Sequence, residues 1–368
     1  MRTFARFALV LATAGLVSGL SECAAKEDYN ARPDRIPSQG WAQPLRNPVL
    51  PAGSLRHQSL WNDPTLLKEN GQYVMYMTTS IKEPFKPPIV PFRAVSPDGV
   101  NWRLDPQTPV AMPDGTRFVN IETPSVVKFQ NRYHMFFSGI YPQGGPAIMA
   151  VGHAISDDGV RWQVSRDPVI ASTGKPQDWN GVLVGEPGAI VRGQEIYVYF
   201  SAVGARPGGH PPQYQTIGLA KTRDGEHFTP PVKVLEQAPV YAAEKGFAGY
   251  SCPYPFELNG KVHLLFNVAL NLDSANPNWQ QVALHHAVSA DGEHGFVQDG
   301  NPILTRNDAP WTMGEVTGPA GLVDGGKLKL WFGGHVPVSE LGTLIKNDFN
   351  GPDFGIGYAE RNLTDLSQ

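Results

Sequence analysis

Cysteine is nearly missing from this chain, with only Cys23 and Cys252 among 368 residues, so no internal disulfide framework can hold it together. Cys252 reads as a small packed hydrophobe, because no signature of a catalytic cysteine surrounds it. An excess of positive charge is also missing: 30 Lys and Arg stand against 34 Asp and Glu, a net charge of −4, and no surface of the kind that binds nucleic acid is expected. The apolar run from Phe7 to Val17 falls short of the roughly 20 residues a membrane-spanning helix needs. Arg2 and Arg6 precede it and small residues ending at Ala24 and Ala25 follow, which predicts a signal peptide over residues 1–25 and a secreted or periplasmic protein. Glu22 stands where a lipoprotein signal carries a small residue, so cleavage near Ala25 is expected rather than lipid anchoring at Cys23. No cluster has metal-ligand spacing, and no metal or cofactor is expected.

What is abundant is Gly (39) and Pro (34) within a chain that is 41% hydrophobic, a composition suited to many short strands and turns around a large core. Five times a short polar segment leads into a proline, an apolar strand, a turn and an aromatic-rich strand. The prolines are Pro64, Pro124, Pro187, Pro253 and Pro319, and their spacings are 60, 63, 66 and 66 residues (124−64, 187−124, 253−187, 319−253). That period is the length of one four-stranded propeller blade. The expected fold is an all-β, five-bladed β-propeller over residues 26–368. Asn70-Gly71, Asn131-Arg132, Gly193-Gln194, Asn259-Gly260 and Gly325-Gly326 are expected to turn the first strand into the second. Pro97-Asp98-Gly99, Asp157-Asp158-Gly159, Arg223-Asp224-Gly225 and Ala290-Asp291-Gly292 precede the outer strands, and their aspartates read as turn residues with positive φ expected at both central positions. The fifth repeat stops at Gln368 without an outer strand. Trp41 to Leu50 resembles the other outer strands, as at Trp102 and Trp162, and is expected to close the ring beside Gly355 to Ala359.

The residues just before the five prolines fall where each inner strand enters the central channel: Asn62-Asp63, Glu122-Thr123, Gly185-Glu186, Ser251-Cys252 and Thr317-Gly318. Three consecutive blades place a carboxylate there. Long connections, such as 204–213, 271–280 and 336–353, share that face, and long loops around a channel mouth are where binding sites form. Such a set of acids can supply one carboxylate as nucleophile or base and a protonated carboxyl as acid, and crowding of a third acid is expected to raise one pKa. Asp63, Glu186 and Glu122 are the catalytic candidates, with Glu315, four residues before Pro319, as a fourth. Asn62, Trp61, His57, Tyr254, Trp311 and His335 are candidate substrate-binding residues on the same face, the aromatic rings offering flat surfaces to sugar C–H groups. The bland alternative for such carboxylates is that they accept backbone N–H bonds at strand starts.

With Trp61-Asn62-Asp63-Pro64 opening the first blade, the chain resembles the five-bladed glycosidases, the furanosidase-type superfamily that includes glycoside hydrolase families 32, 43 and 68. The resemblance implies that Asp63 is the nucleophile or base. The blade order of families 32 and 68 would make Glu122 the residue that steadies the transition state and Glu186 the general acid, although Glu122 stands two before its proline and Glu186 one before. It implies an exported glycoside hydrolase acting on an oligo- or polysaccharide. A non-catalytic carbohydrate-binding propeller and a glycoside phosphorylase are the alternatives. The latter would need a cation cluster beside the acids, for which Arg56, His57 and Arg93 are the candidates.

Overall fold

The structure, a computed structural model, describes residues 36–57, 59–82, 86–142, 148–205, 213–235, 241, 246–271, 279–336 and 354–365. The expected signal segment and most of the long mouth loops lie outside them. The described residues are strands and turns, with a few single-turn 3-10 segments and no helix long and apolar enough to cross a membrane.

Twenty strands follow one another among the described residues, paired antiparallel except at one point. The first group is β1 (Asn62–Glu69), β2 (Gln72–Lys82), β3 (Lys86–Ser96) and β4 (Arg103–Leu104), in that spatial order. The second is β5 (Asn120–Phe129), β6 (Arg132–Tyr141), β7 (Ile148–Ser156) and β8 (Gln163–Val164). Then come β9 (Leu183–Arg192), β10 (Glu195–Ala205), β11 (Gln213–Thr222) and β12 (Val232–Leu235). They are joined by one parallel pair, Gln215 with Gly249, to β13 (Phe247–Leu258), β14 (Lys261–Asn271), β15 (Trp279–Ser289), β16 (Val297–Gln298) and β17 (Leu304–Thr305). The last sheet is β18 (Glu315–Asp324), β19 (Lys327–His335) and β20 (Gly355–Asn362).

The first strand of each group packs on the first strand of the next: β1 on β5, β5 on β9, β9 on β13, β13 on β18, and β18 back on β1. Between groups lie apolar clusters, such as Trp61, Met75, Trp102, Trp331 and Tyr358 where the last sheet meets the first. Polar latches cross the same gaps. Tyr76 donates its hydroxyl to Gly159 O at 2.6 Å, Tyr199 to Gly292 O at 2.6 Å, and the Trp331 indole to Gly99 O at 2.8 Å.

The turns divide into two kinds. Between first and second strands, Asn70-Gly71 and Asn259-Gly260 hold both residues at positive φ, the geometry whose twist suits a two-residue hairpin. In the second group that geometry falls on Gln130-Asn131, one residue earlier than the sequence suggests, so that Arg132 opens β6. At the Asp-Gly turns only the glycine has positive φ, which corrects the expectation for the aspartates. Asp158 Oδ1 instead accepts Val160 N at 2.9 Å and Arg161 N at 2.8 Å, and these backbone donors hold its carboxyl far below the usual range.

The segment from Trp41 to Leu50 is not a continuous strand. Ala42 pairs with Glu360 and Leu50 with Ile356, as isolated antiparallel bridges against β20. Between them the Asn47 side-chain amide takes the place of a backbone unit, donating to Tyr358 O at 3.1 Å and accepting Tyr358 N at 2.9 Å.

Candidate functional site

The five prolines lie inside the first strands rather than at their starts, and each is placed there by the same irregularity. The residue before it, Asp63, Thr123, Glu186, Cys252 or Gly318, has a left-handed φ of 51°, 47°, 47°, 49° or 55°. At each such pair the register with the second strand slips, so that residue and proline are both left out of the ladder. Such a bulge suits proline, which has no N–H to give, and turns the preceding side chain out of the pleat.

All five of these residues line a central cavity of about 30 Å³, together with their prolines and Tyr254. The ring thus presents two carboxyls, a threonine hydroxyl, a thiol and a glycine. In the second group Thr123, not Glu122, occupies the lining position. Glu122 is buried behind it, accepting from Asn120 Nδ2 at 2.9 Å.

Burial is the main cause of the site's electrostatics. It pushes Asp63 up to about 8, with the charges of Glu122 and Glu186 adding to the shift and a bond from Thr78 opposing it. Glu122 is pushed up to about 7, again first by burial, with the Asn120 bond working against the shift and the Glu186 charge adding to it. Glu186 is raised by burial against the hydrogen bonds it accepts from Ser201 Oγ at 2.6 Å and Cys252 N at 3.3 Å. Crowding of acids, the cause expected from the sequence, is therefore real but second to desolvation. The thiol of Cys252 is raised well above its usual value by burial and by Glu186 and Asp63, which makes it a poor nucleophile.

A second polar cluster adjoins the first. Glu315, whose charge bears on both Asp63 and Glu186, accepts Gln281 N at 2.9 Å and faces His335 Nε2 at 3.2 Å. His335 Nδ1 lies 2.6 Å from Val336 O, which can only accept, so Nδ1 carries a proton. Trp311 stacks on Phe332 and fills the space above Gly334 and Gly357, where an added Cβ would come within 2.8 and 2.4 Å of its ring.

The remaining expected ligands are placed differently. Trp61 is fully buried, edge-on to Phe92, with its indole bonded to Ser54 O at 2.8 Å, so it anchors the start of β1 and offers no face to a sugar. Asn62 points its Oδ1 into the space left by Gly333, where that oxygen has no partner among the described residues. His57 is exposed and does not line the cavity. Arg56 lies over the Phe92 ring and bonds Ser59 Oγ and the Ser80 carbonyl, and Arg93 is paired with Asp105. Among the described residues no group of His, Cys, Asp or Glu is arranged to hold a metal ion.

The sequence reading missed the hydroxyls behind the carboxyls: Thr78, Ser138 and Ser201. Each stands 15 residues after a lining residue (78−63, 138−123, 201−186), a regularity visible in the sequence once the lining positions are known.

No protein-family model and no curated protein matches the sequence. Solved structures match the fold. A thermostable family-43 glycoside hydrolase is 16% identical with a TM-score of 0.59, over 83% of this chain and 89% of that one. The β-1,2-mannobiose phosphorylase from Listeria innocua, in complex with β-1,2-mannobiose, is 11% identical with a TM-score of 0.64, over 88% and 97%. An N-acetylgalactosamine deacetylase from F. plautii, in complex with blood group B trisaccharide, is 15% identical with a TM-score of 0.58, over 90% and 95%. The chain is all-β and resembles the β-propeller glycosidases in fold. Those three proteins carry out different reactions, so the reaction here has to be argued from the site.

Proposed function

We propose that this protein is an exported glycoside hydrolase, a five-bladed β-propeller over residues 26–368 whose last blade is completed by the Trp41 to Leu50 segment, acting on an oligo- or polysaccharide. One observation carries the reading: Asp63 and Glu186 occupy equivalent left-handed bulges on one cavity, with Glu122 buried beside them, and burial raises all three. Coupled carboxyls of this kind share protons, which allows one to be charged while another is protonated, as an oxocarbenium-like transition state requires. Asp63 serves as nucleophile or base, Glu186 as general acid, and Glu122 steadies positive charge on the sugar ring. Tyr254 lines the same cavity and is positioned to contact the sugar.

Hydrogen bonding favours the exchanged assignment for the first two. Glu186 accepts bonds from Ser201 and Cys252 that stabilise its ionised form against the charge of Glu315, whereas Asp63 has the Thr78 bond against like charges from Glu122, Glu186 and Glu315. Leaving-group dependence decides between them, because a general acid matters only when the departing oxygen needs a proton. With Glu186 as acid, Glu186→Gln loses most activity on a glycan and keeps much of it on a dinitrophenyl glycoside, while Asp63→Asn loses several orders of magnitude on both. The reverse pattern exchanges the roles, and near wild-type activity of both variants on a glycan removes the pair from catalysis. Water is favoured over phosphate as the acceptor, because Arg56 and Arg93 are engaged with Ser59, Ser80 and Asp105. A panel of aryl glycosides and polysaccharides, assayed with and without phosphate, tests this: activity that depends on phosphate makes the protein a phosphorylase, and binding without turnover makes it a lectin-like propeller.

A further inference from the structure

Opposite the five lining residues, the second strand of each group carries a short polar side chain or none: Thr78, Ser138, Ser201, Asn267 and Gly333. Each pairs with the residue just before a lining residue, as Asn62 with Thr78, Glu122 with Ser138, Gly185 with Ser201, Ser251 with Asn267 and Thr317 with Gly333. The three hydroxyls are buried and each does the same two things. Each accepts the backbone N–H of the next group's lining residue: Thr123 N to Thr78 at 3.0 Å, Glu186 N to Ser138 at 2.6 Å, and Cys252 N to Ser201 at 2.8 Å. Each also bonds the lining side chain of its own group: Thr78 to Asp63, Ser138 to the Thr123 hydroxyl, and Ser201 to Glu186 Oε2.

Ser201 Oγ accepts from Cys252 N at 2.8 Å and donates to Glu186 Oε2 at 2.6 Å. Cys252 N–H also reaches Oε2, at 3.3 Å, so this oxygen faces two donors and is not the one that carries a proton. We propose that Ser201 is a positioning residue for Glu186, fixing Oε2 as a permanent acceptor and leaving Oε1 as the oxygen that exchanges a proton with the sugar. The last clause rests on the hydrolase reading above; the fixing of Oε2 does not. Through Cys252 N the same hydroxyl ties this orientation to the placement of the neighbouring inner strand.

The test reads Glu186 directly. Carboxyl-carbon NMR titrations of wild type, Ser201→Ala and Ser201→Thr are compared, with Glu186→Gln identifying the resonance. Loss of a donor to the charged form moves the Glu186 midpoint upward by about one pH unit or more in Ser201→Ala, and the threonine hydroxyl restores it. On a glycan that the wild type cleaves, the alkaline limb of the Ser201→Ala pH–rate profile moves the same way. An unchanged midpoint in Ser201→Ala overturns the positioning role, as does a loss of activity with no shift in either variant. The titration needs no substrate, so a protein that shows the shift but cleaves no glycoside overturns the hydrolase reading alone.

Discussion

Asp63, Thr123, Glu186 and Cys252 hold a backbone conformation that costs a non-glycine residue about 1–3 kcal/mol, each directly before a proline. The conformation recurs at Gly318, where it is free of strain, so it belongs to the repeat, and two of its five positions carry a carboxyl. Asp63 adds a second cost through its charge. With a pKa of 3.8 when unfolded and about 8 when folded, it binds more protons in the native state across that window. Stability must therefore fall as pH rises from about 4 to about 8. Asp63→Asn removes the titration, so its melting temperature should exceed that of the wild type at pH 8 by a few degrees, with the difference vanishing near pH 4. Parallel melting curves for the two proteins across this range would mean that Asp63 is not held protonated by the fold.

The strands and their order were readable from the proline period and the Asn-Gly and Asp-Gly pairs, because both signals are local. What the sequence did not disclose depends on register. Pro64 and its equivalents read as strand starts, whereas they sit in bulges whose existence is seen only against the second strand. Trp61 read as a sugar platform because its neighbours face the mouth, and only the Ser54 carbonyl and Phe92 explain why it points inward. The turn glycines differ in the same way. At Gly71, with φ +76°, an added Cβ meets nothing within 4 Å, but at Gly225, with φ +83°, it would lie 2.5 Å from the His153 ring. Gly71→Ala should cost only the backbone strain, roughly 1–2 kcal/mol. Gly225→Ala should cost at least twice that in chemical denaturation, because it also prises the turn away from the His134–His153 pair; equal losses would show that the contact between groups contributes little.

At the scale of the whole molecule, the described segment before β1 lies against β20. β20 would present an unpaired edge were it not for Ala42, Leu50 and the Asn47 amide, and Trp331 latches the same sheet to the first group through Gly99. Asn47→Ala should lower stability by roughly 1–3 kcal/mol, the net worth of two hydrogen bonds. Deleting residues 26–52 should abolish cooperative unfolding of the ring; a truncated chain melting within a degree or two of full length would show that the segment is dispensable. Cys252 supplies a way to watch the ring without a substrate. Its thiol lines the cavity where all five inner strands converge, and burial with Glu186 and Asp63 holds its pKa well above the usual value, so a small alkylating reagent finds little reactive thiolate while those strands stay together. The rate of its modification is then a chemical clock for the breathing of the entire circle, expected to run fast in the truncated chain and, under the proposed function, to slow when a sugar fills the centre.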